Sequence, residues 1–270
     1  MHHLLPKVTD ITRAAGAAIM SYYRSSFDVT DKSPDNPVTD ADLAADTLLK
    51  ERLLALLPTA GWLSEETSDN PDRLDKKHVW VVDPLDGTKE FVMGIPEFSI
   101  AVALVEDGQP ILSAVFNPAT NELFHAARGQ GAFYNGQPAR LSSRASLAGA
   151  AIDASRSEIK KGEFEPFKDL VTLKIVGSIA YKLARVSAGL CDATWSRGPK
   201  HEWDICAGSF LISESGGCIV DLNNDPITYN KAFPKVNGII ADNGLLHAEL
   251  VAALSLHGPA RKEPGFTYRP

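Results

Sequence analysis

The sequence predicts a mixed α/β protein made of two halves that differ in the order of their helices and strands. In the first half, two segments with helical spacing of apolar residues precede a series of strands joined by short turns, which is typical of an antiparallel meander. In the second half, strands alternate with helices, which indicates an α/β arrangement. The 270 residues are 44% hydrophobic, enough for one large domain or two smaller ones. The order of predicted elements changes near residues 140–150.

The elements of the first half follow from periodicity and helix-boundary signals. Thr39 has the side chain of a helix cap, Asp40 and Asp42 suit a first turn, and Pro58 ends the helix near Leu57. Asn135-Gly136 between short apolar runs predicts a hairpin. We predict helices at 7–26 and from residue 39 to about 57, a loop at 33–40, strands ending at 63 and spanning 78–82, 98–106, 111–116 and 122–128, and a hairpin at 135–136.

The second half is predicted in the same way. Apolar runs with β-branched residues indicate strands, and longer amphipathic runs indicate helices. We predict strands at 150–155, 173–178, 192–197, 216–221 and 236–242, and helices at 179–188, 201–215 and 245–256.

Composition excludes several classes of function. The formal net charge of −7 argues against binding to nucleic acid, which needs a basic face. The apolar runs are too short to span a bilayer, and the N-terminus lacks the pattern of a secretion signal. Three cysteines, an odd number, predict reduced thiols and a cytoplasmic protein. Scattered histidines and the absence of CxxC or HExxH spacing predict no zinc site.

The stretch VVDPLDGTKEF (81–91) carries the clearest chemistry. Pro84 and Gly87 make a rigid corner after a buried strand, and Asp83, Asp86 and the Leu85 carbonyl offer three hard oxygen donors of the type that Mg²⁺ prefers. The residues from Gly87 can open a short helix whose N–H groups would hold a phosphate. The motif indicates metal-assisted phosphoryl transfer, but taken alone it leaves open a turn with solvated acids.

Two further stretches add acidic residues. LSEET (63–67) places Glu65 and Glu66 at the end of a predicted strand, and HEWDICAG (201–208) places Asp204 at the start of a helix. In isolation, an acidic loop and an N-cap aspartate are the favoured explanations of these residues.

Taken together, SEE, DPLDGT and WDICAG, in this order, resemble the motifs of the magnesium-dependent, lithium-sensitive phosphatases, the superfamily of the inositol monophosphatases. PVTDAD (37–42), GQGAFYNG (129–136) and VGS (176–178) extend the resemblance over nearly the whole chain. It implies a layered αβαβα sandwich. It also implies an N-terminal subdomain, 1–145, with most metal ligands, and a C-terminal subdomain, 146–270, that supplies Asp204 and substrate contacts.

The resemblance also implies roles for individual residues, and two to three Mg²⁺ ions per site. Glu65, Asp83 and the Leu85 carbonyl would hold one ion, Asp83, Asp86 and Asp204 a second, and a third, weaker ion would lie near Glu65. Thr88, paired with Asp40 and helped by Glu65, would hydrogen-bond the attacking water. The substrate contacts implied by the resemblance are Glu65, Leu85, Asp86, the N–H groups of Gly87 and Thr88, Gly177, Ser178 and Asp204.

Within the superfamily, DGTKEF and SRSE (155–158) are similar to the CysQ-type 3'(2'),5'-bisphosphate nucleotidases of sulfur assimilation. The implied substrate is adenosine 3',5'-bisphosphate, with 3'-phosphoadenylyl sulfate as a second candidate. Four cations are candidates for contacting the second phosphate: Lys89, Arg156, Lys182 and Arg197.

Two other functions stay open. GSIAYKLARVSAG (177–189) resembles the inositol monophosphatase branch equally well. A non-catalytic regulatory protein on the same fold is the third reading, although none of the key acids is missing. In each case we expect a small phosphate ester rather than nucleic acid as partner, no transmembrane segment, and a homodimer. The expected location is cytoplasmic, with peripheral attachment to the inner membrane left open.

Overall fold

The computed structural model describes residues 1–24, 29–33 and 36–257. Its α-helices are α1 (Leu5–Tyr22), α2 (Asp40–Leu56), α3 (Thr88–Val92), α4 (Arg156–Lys160), α5 (Ile179–Ser187), α6 (Glu202–Ser215) and α7 (His247–Leu256). Its strands in the first half are β1 (Val29–Ser33), β2 (Asn36–Thr39), β3 (Gly61–Ser64), β4 (His78–Asp86), β5 (Ser99–Glu106), β6 (Gln109–Asn117), β7 (Glu122–Ala127), β8 (Ala132–Tyr134) and β9 (Gln137–Pro138). Those of the second half are β10 (Ala151–Ala154), β11 (Thr172–Ile175), β12 (Ala193–Ser196), β13 (Lys200–His201), β14 (Cys218–Val220), β15 (Lys235–Val236) and β16 (Ile239–Asp242).

The first half forms a seven-stranded sheet in the order β3-β4-β5-β6-β7-β8-β9. Apart from the parallel β3–β4 pair, its neighbours are antiparallel, so the predicted meander and the hairpin at Asn135-Gly136 are confirmed. The second half forms a mixed five-stranded sheet in the order β11-β10-β12-β16-β14, with parallel pairing of β10 to β11 and to β12. This agrees with the predicted alternation of strands and helices.

The layers follow from which side chains share a core. Helices α1 and α2 cover one face of the seven-stranded sheet, where Leu49 and Trp80 are buried. Helices α5 and α6 lie between the two sheets, in a core that joins Val81 of one sheet to Ala241 of the other. Helix α7 packs on the outer face of the second sheet around Trp195. The αβαβα order that the resemblance implied is therefore confirmed.

Two predicted elements were partly wrong or incomplete, and one helix was not predicted. The predicted loop at 33–40 contains strand β2, which pairs with β1, whereas residues 34 and 35 lie outside the described residues. Residues 25 and 26 of the predicted first helix also lie outside them, and α1 ends at Tyr22. The sequence analysis missed α4, although its capping box of Ser155 and Glu158 is a readable signal.

Among the described residues, no helix combines the length and the hydrophobicity needed to cross a bilayer. Both halves contribute to the core around α5 and α6. The division into 1–145 and 146–270 stays a proposal, and its boundary would fall between β9 and β10.

Candidate metal centre and active site

The acidic corner lies at an irregularity in strand β4. Asp83 pairs with Ala101 of β5, but the next paired residue, Asp86, faces Ser99, so β4 carries one extra residue at this point. Such a bulge bends the strand and re-aims its side chains. The inserted turn thereby brings Asp83, the Leu85 carbonyl and Asp86 to the same cleft.

Gly87 is required where β4 turns into α3. Its φ of 98° lies in the left-handed region, and a Cβ at this position would come within 2.9 Å of the Glu97 carbonyl oxygen. Only glycine avoids both problems. Helix α3 then begins at Thr88, as predicted for a short helix after the corner.

Three carboxylates from distant parts of the chain meet beside this corner. Oxygen atoms of Glu65, Asp83 and Asp204 all lie within 4.8 Å of one another. Glu65 follows β3, which runs parallel to β4 and ends at the same edge, and Asp204 lies in the first turn of α6. The structure thus brings Asp204 to two acids that lie more than a hundred residues before it in the sequence.

Burial and mutual repulsion dominate the electrostatics of this cluster. Burial, followed by the charges of Glu65, Asp86 and Asp204, raises the pKa of Asp83 well above its ordinary value. Burial and the charge of Asp86 raise the pKa of Asp204 to about 8, and burial raises that of Asp86 to about 6. A cation held between these groups would reverse the cost of ionising them.

The hydrogen bonds of the three aspartates leave room for such a cation. Asp83 Oδ1 accepts from the Leu85 N–H (3.0 Å), and Asp204 Oδ2 accepts from the His201 N–H (2.9 Å). Asp86 Oδ2 accepts from the Ser178 hydroxyl (2.7 Å) and the Ala180 N–H (2.6 Å).

Within the described part of the chain, the second oxygen of each of these aspartates has no hydrogen-bond donor. Buried carboxylate oxygens and a backbone carbonyl are the hard ligands that Mg²⁺ prefers, so the residues present fit this ion. Asp86 lies outside the 4.8 Å group but acts on it through its charge.

The expected pairing of Thr88 with Asp40 was wrong. The Thr88 hydroxyl lies 3.1 Å from Asp42 Oδ1, and Asp42 is buried at the start of α2. Asp42 Oδ2 accepts from both the N–H (2.7 Å) and the hydroxyl (2.6 Å) of Thr39. Asp40 is exposed instead, because residues two apart on a helix face different directions.

The acidic cluster forms one wall of a cleft of 570 Å³. All but one of the residues expected to contact substrate line it: Glu65, Leu85, Asp86, Gly87, Thr88, Ser178 and Asp204. Gly177 is the exception and is a correction. It packs against Glu90, where an added Cβ would come within 2.5 Å of the side chain, and its N–H donates to Glu97.

Basic side chains line the same cleft. Lys89 and Arg156 do so as expected, and Lys182 lines it while forming a buried ion pair with Glu158 at 2.6 Å. Arg197 is not among the lining residues; its guanidinium donates to the Leu254 carbonyl at 3.1 Å, so its expected contact with substrate was wrong.

The sequence analysis missed Lys200, which also lines the cleft. Its charge acts on Asp204 and Glu158, and no carboxylate of the described residues lies within ion-pair distance of it. Its position in GPKHEWD, four residues before a candidate ligand, was the available signal.

An aromatic pair also lines the cleft. The rings of His201 and Trp203 stack at 4.2 Å between centroids, with 16° between their planes, and both residues line the cleft. Burial, with the neighbouring charges of Lys235 and Lys200, lowers the pKa of His201 to about 4, so the ring is neutral at pH 7.

Comparison with known proteins agrees with this site. The chain is 36% identical over 249 residues to the 3'(2'),5'-bisphosphate nucleotidase CysQ of Aggregatibacter actinomycetemcomitans, covering 87% of this chain and 90% of that protein. It is 37% identical over 204 residues to the inositol-1-monophosphatase of Rhizobium meliloti, covering 73% and 76%. The solved structure of a Thermotoga maritima IMPase matches with a TM-score of 0.82 at 30% identity, covering 95% of this chain and 98% of that one. A sequence model described as the inositol monophosphatase family matches residues 2–258, and the chain belongs to this family of metal-dependent phosphatases.

Proposed function

We propose that this phosphatase hydrolyses the 3'-phosphate of adenosine 3',5'-bisphosphate to AMP and phosphate, in sulfur assimilation, with 3'-phosphoadenylyl sulfate as a second substrate. The observation that carries the proposal is that basic side chains line the same cleft as the acidic cluster of Glu65, Asp83 and Asp204. A cation at the acidic cluster can bind the phosphate that is cleaved. Lys89 and Lys200, together with Arg156 beside its partner Glu97, suit a second phosphate, which an inositol monophosphate lacks.

The acidic cluster, with the Leu85 carbonyl and Asp86 beside it, would hold two to three Mg²⁺ ions. The ligands would be Glu65, Asp83, the Leu85 carbonyl, Asp86 and Asp204. When bound, such ions lower the pKa of water and offset negative charge on the phosphoryl group. The N–H groups of Gly87 and Thr88, at the start of α3 and in the cleft lining, would donate to the phosphate and complete the site.

Thr88 and Asp42 would orient the attacking water. When the Thr88 hydroxyl donates to Asp42, its oxygen lone pairs are left to accept a hydrogen bond from water. Glu65, at the edge of the acidic cluster, would hold the proton that the water loses. The proton finally goes to the oxygen of the leaving alcohol, which balances the reaction.

The aromatic pair gives the nucleotide proposal further support. His201 and Trp203 offer a neutral aromatic surface within the cleft. Aromatic side chains stack on nucleobases with a free energy of about 1–3 kcal/mol per base. An inositol ring has no π face and would gain little from this surface.

The decisive experiment compares phosphate release from adenosine 3',5'-bisphosphate, 3'-AMP and inositol 1-phosphate. We expect the bisphosphate to have the highest kcat/KM. Lys200→Ala should raise its KM at least about 10-fold, from the loss of a charged hydrogen bond of about 1.5–3 kcal/mol, with little effect on 3'-AMP. Lys168→Ala, at an exposed lysine outside the cleft, is the matched control.

The outcomes separate the candidate functions. Preference for inositol 1-phosphate, with Lys200→Ala without effect, would replace the nucleotidase by inositol-1-monophosphatase, the activity named for the Rhizobium relative. Hydrolysis of none of the three esters in the presence of Mg²⁺ would favour the non-catalytic regulatory protein.

Three related expectations stay predictions. Lithium should inhibit the reaction, as the resemblance implies. The protein should form a homodimer, which size-exclusion chromatography with light scattering would measure. Cell fractionation should find it in the cytoplasm or attached to the inner membrane.

A further inference from the structure

A second group of metal-ligating side chains lies outside the cleft. Ligand atoms of Cys218, Asp242 and His247 all lie within 4.8 Å of one another, and none of the three residues lines the catalytic cleft. Cys218 opens β14, Asp242 closes β16, and His247 opens α7. We propose that these three side chains form a site for a borderline-soft divalent metal of the Zn²⁺ class, independent of the phosphatase chemistry.

The backbone fixes two of the ligands opposite each other. Cys218 and Asp242 are direct partners in the antiparallel pairing of β14 with β16. Directly opposed residues of an antiparallel pair present their side chains on the same face of the sheet. The preceding residue, Gly217, allows this close approach, because a Cβ there would come within 2.7 Å of the Asp242 carbonyl oxygen.

The hydrogen bonds of His247 are those of a metal ligand. Its Nε2 lies 2.8 Å from Asn224 Oδ1, and its Nδ1 lies 2.8 Å from Asp242 Oδ2. In the tautomer that donates from Nε2 to Asn224, Nδ1 keeps its lone pair and faces Asp242 Oδ2. A metal ion would then be bound by both atoms.

Asp242 is held in a similar way. Its side chain is fully buried, and its other oxygen, Oδ1, accepts from the Gly244 N–H at 2.7 Å. Oδ2 is therefore directed at His247 and Cys218. A ligand histidine whose second nitrogen donates to an oxygen, and a ligand carboxylate held by a backbone N–H, are the supporting contacts that orient metal ligands.

The donor set selects the class of metal. One thiolate, one imidazole nitrogen and one carboxylate oxygen suit Zn²⁺ or Co²⁺, whereas Mg²⁺ prefers oxygen alone. The thiolate and the carboxylate together neutralise a divalent ion. Tetrahedral ligands on Zn²⁺ lie about 3.3–3.8 Å apart, so binding requires the Asp242–His247 contact to open by less than about 1 Å.

The same three residue types could suggest a nucleophilic cysteine, but the geometry argues against it. His247 Nδ1 faces Asp242 and Nε2 faces Asn224, so the ring makes its hydrogen bonds to these two residues and not to the thiol. Burial and the charge of Asp242 raise the pKa of Cys218 to about 11, whereas nucleophilic cysteines have lowered values.

The three ligands escaped the sequence analysis because zinc signatures rely on short spacings. Residues 218, 242 and 247 come from two strands and a helix, and only the pairing of β14 with β16 brings them together. The prediction that no zinc site exists rested on the absence of CxxC and HExxH, which is informative only for ligands that are neighbours in sequence.

Titration of the EDTA-treated full-length protein with Co²⁺ tests the site, because a thiolate ligand gives Co²⁺ a charge-transfer absorption in the near ultraviolet. We expect this band to saturate at one Co²⁺ per chain and to be lost on addition of Zn²⁺. The carboxylates of the catalytic cleft cannot produce it, so Asp83→Asn should leave it unchanged.

Variants at the three half-buried or exposed positions complete the test. Cys218→Ser should abolish the band, His247→Gln should weaken binding of Co²⁺ at least 10-fold, and Asn224→Ala should weaken it by about 10–100-fold, as for loss of a contact that orients a ligand. Cys191→Ser is the matched thiol control and should retain the band. Zn²⁺ should raise the melting temperature of the parent by more than that of Cys218→Ser, in which only the acidic cluster of the cleft is left to bind it. Absence of the band in the parent, its persistence in Cys218→Ser, or unchanged binding by a folded His247→Gln would each overturn the proposal.

Discussion

Replacing Asp42 by asparagine separates the two acids that could support Thr88. Asp42 Oδ2 accepts two hydrogen bonds from Thr39, so in Asp42→Asn the amide oxygen must face Thr39 and the amide NH₂ must face Thr88. The Thr88 hydroxyl would then donate to the Leu85 carbonyl, which already lies 3.1 Å away. Every polar group stays satisfied, but the Thr88 oxygen accepts from the amide instead of from water.

The expected effect is large on turnover and small on stability. Positioned proton acceptors contribute about 10²–10⁴-fold to catalysis, so kcat should fall at least about 100-fold, which corresponds to about 2.7 kcal/mol of lost transition-state stabilisation. The free energy of unfolding should change by about 1 kcal/mol or less, because no buried group loses its partner. KM should change little, since Asp42 does not line the cleft.

The matched control is Asp40→Asn, two residues earlier in the same first turn. Asp40 is exposed and interacts mainly with the positive end of α2, a contribution of about 0.3–1 kcal/mol to stability. Its kcat should stay within about twofold of the parent, as expected for a surface substitution. Phosphate release and urea unfolding measure both quantities. A strong loss of kcat in Asp40→Asn, with Asp42→Asn fully active, would refute the pairing seen in the structure.

Three other substitutions test separate parts of the site and its support. Asp83→Asn should abolish phosphate release but raise the melting temperature in EDTA, because one buried charge is removed from a repelling cluster; retained turnover would contradict its role as a ligand. Gly87→Ala should destabilise the protein by more than Gly136→Ala, the control, since both glycines have positive φ but only Gly87 lacks space for a Cβ; equal losses of melting temperature would contradict this. Glu158→Gln should cost about 3 kcal/mol at pH 7 by leaving Lys182 buried without its partner. Burial would raise the pKa of Glu158, but the charges of Lys182 and Lys200 outweigh burial and lower the pKa to about 2. The stabilisation by the ionised Glu158 is therefore fully present above pH 4.5 and is lost as the pH falls toward 2. Urea unfolding at pH 7 and near pH 2 should show the penalty shrinking, and a constant penalty would disprove the linkage.

The order of the elements could be predicted because its signals are local. Thr39 caps α2 through a contact within three residues, and Asn135-Gly136 closes a hairpin between adjacent strands. The DPLDG corner is also local, since three candidate ligands and the glycine that ends the turn lie within five residues. Strand β2 was missed because Pro37 lies within it and Asp35 and Asp40 flank it, and strand formation there depends on pairing with β1.

A motif predicts which segment supplies a site residue, but it does not show which side chain of that segment faces the site. Asp40 and Asp42 have the same side chain in the same helical turn, and composition cannot tell which one faces Thr88. The helix decides it, because the N3 position that closes the capping box with Thr39 is also the one that faces inward. The capping box was readable from the sequence, and it would have pointed to Asp42.

The cations near the cleft show a different limit of prediction from sequence. Five cations were available in the right segments, and their sequence positions gave no ranking. Three have partners elsewhere: Lys182 pairs with Glu158 at 2.6 Å, Arg156 pairs with Glu97 at 2.5 Å, and Arg197 donates to the end of α7. Lys200 is set apart by its place in β13, directly before the helix that carries Asp204, and by its charge acting on that ligand.

The same dependence on pairing explains why both groups of candidate metal ligands are assembled at the ends of strands. Glu65 and Asp83 meet because β3 and β4 run parallel, and Cys218 and Asp242 meet because β14 and β16 are in antiparallel register. In each case a helix start supplies the last ligand, Asp204 or His247. A helix that begins where a strand ends therefore brings together ligands that no local spacing could reveal. The two groups differ only in donor chemistry, which is why we expect a hard ion at one and a softer ion at the other.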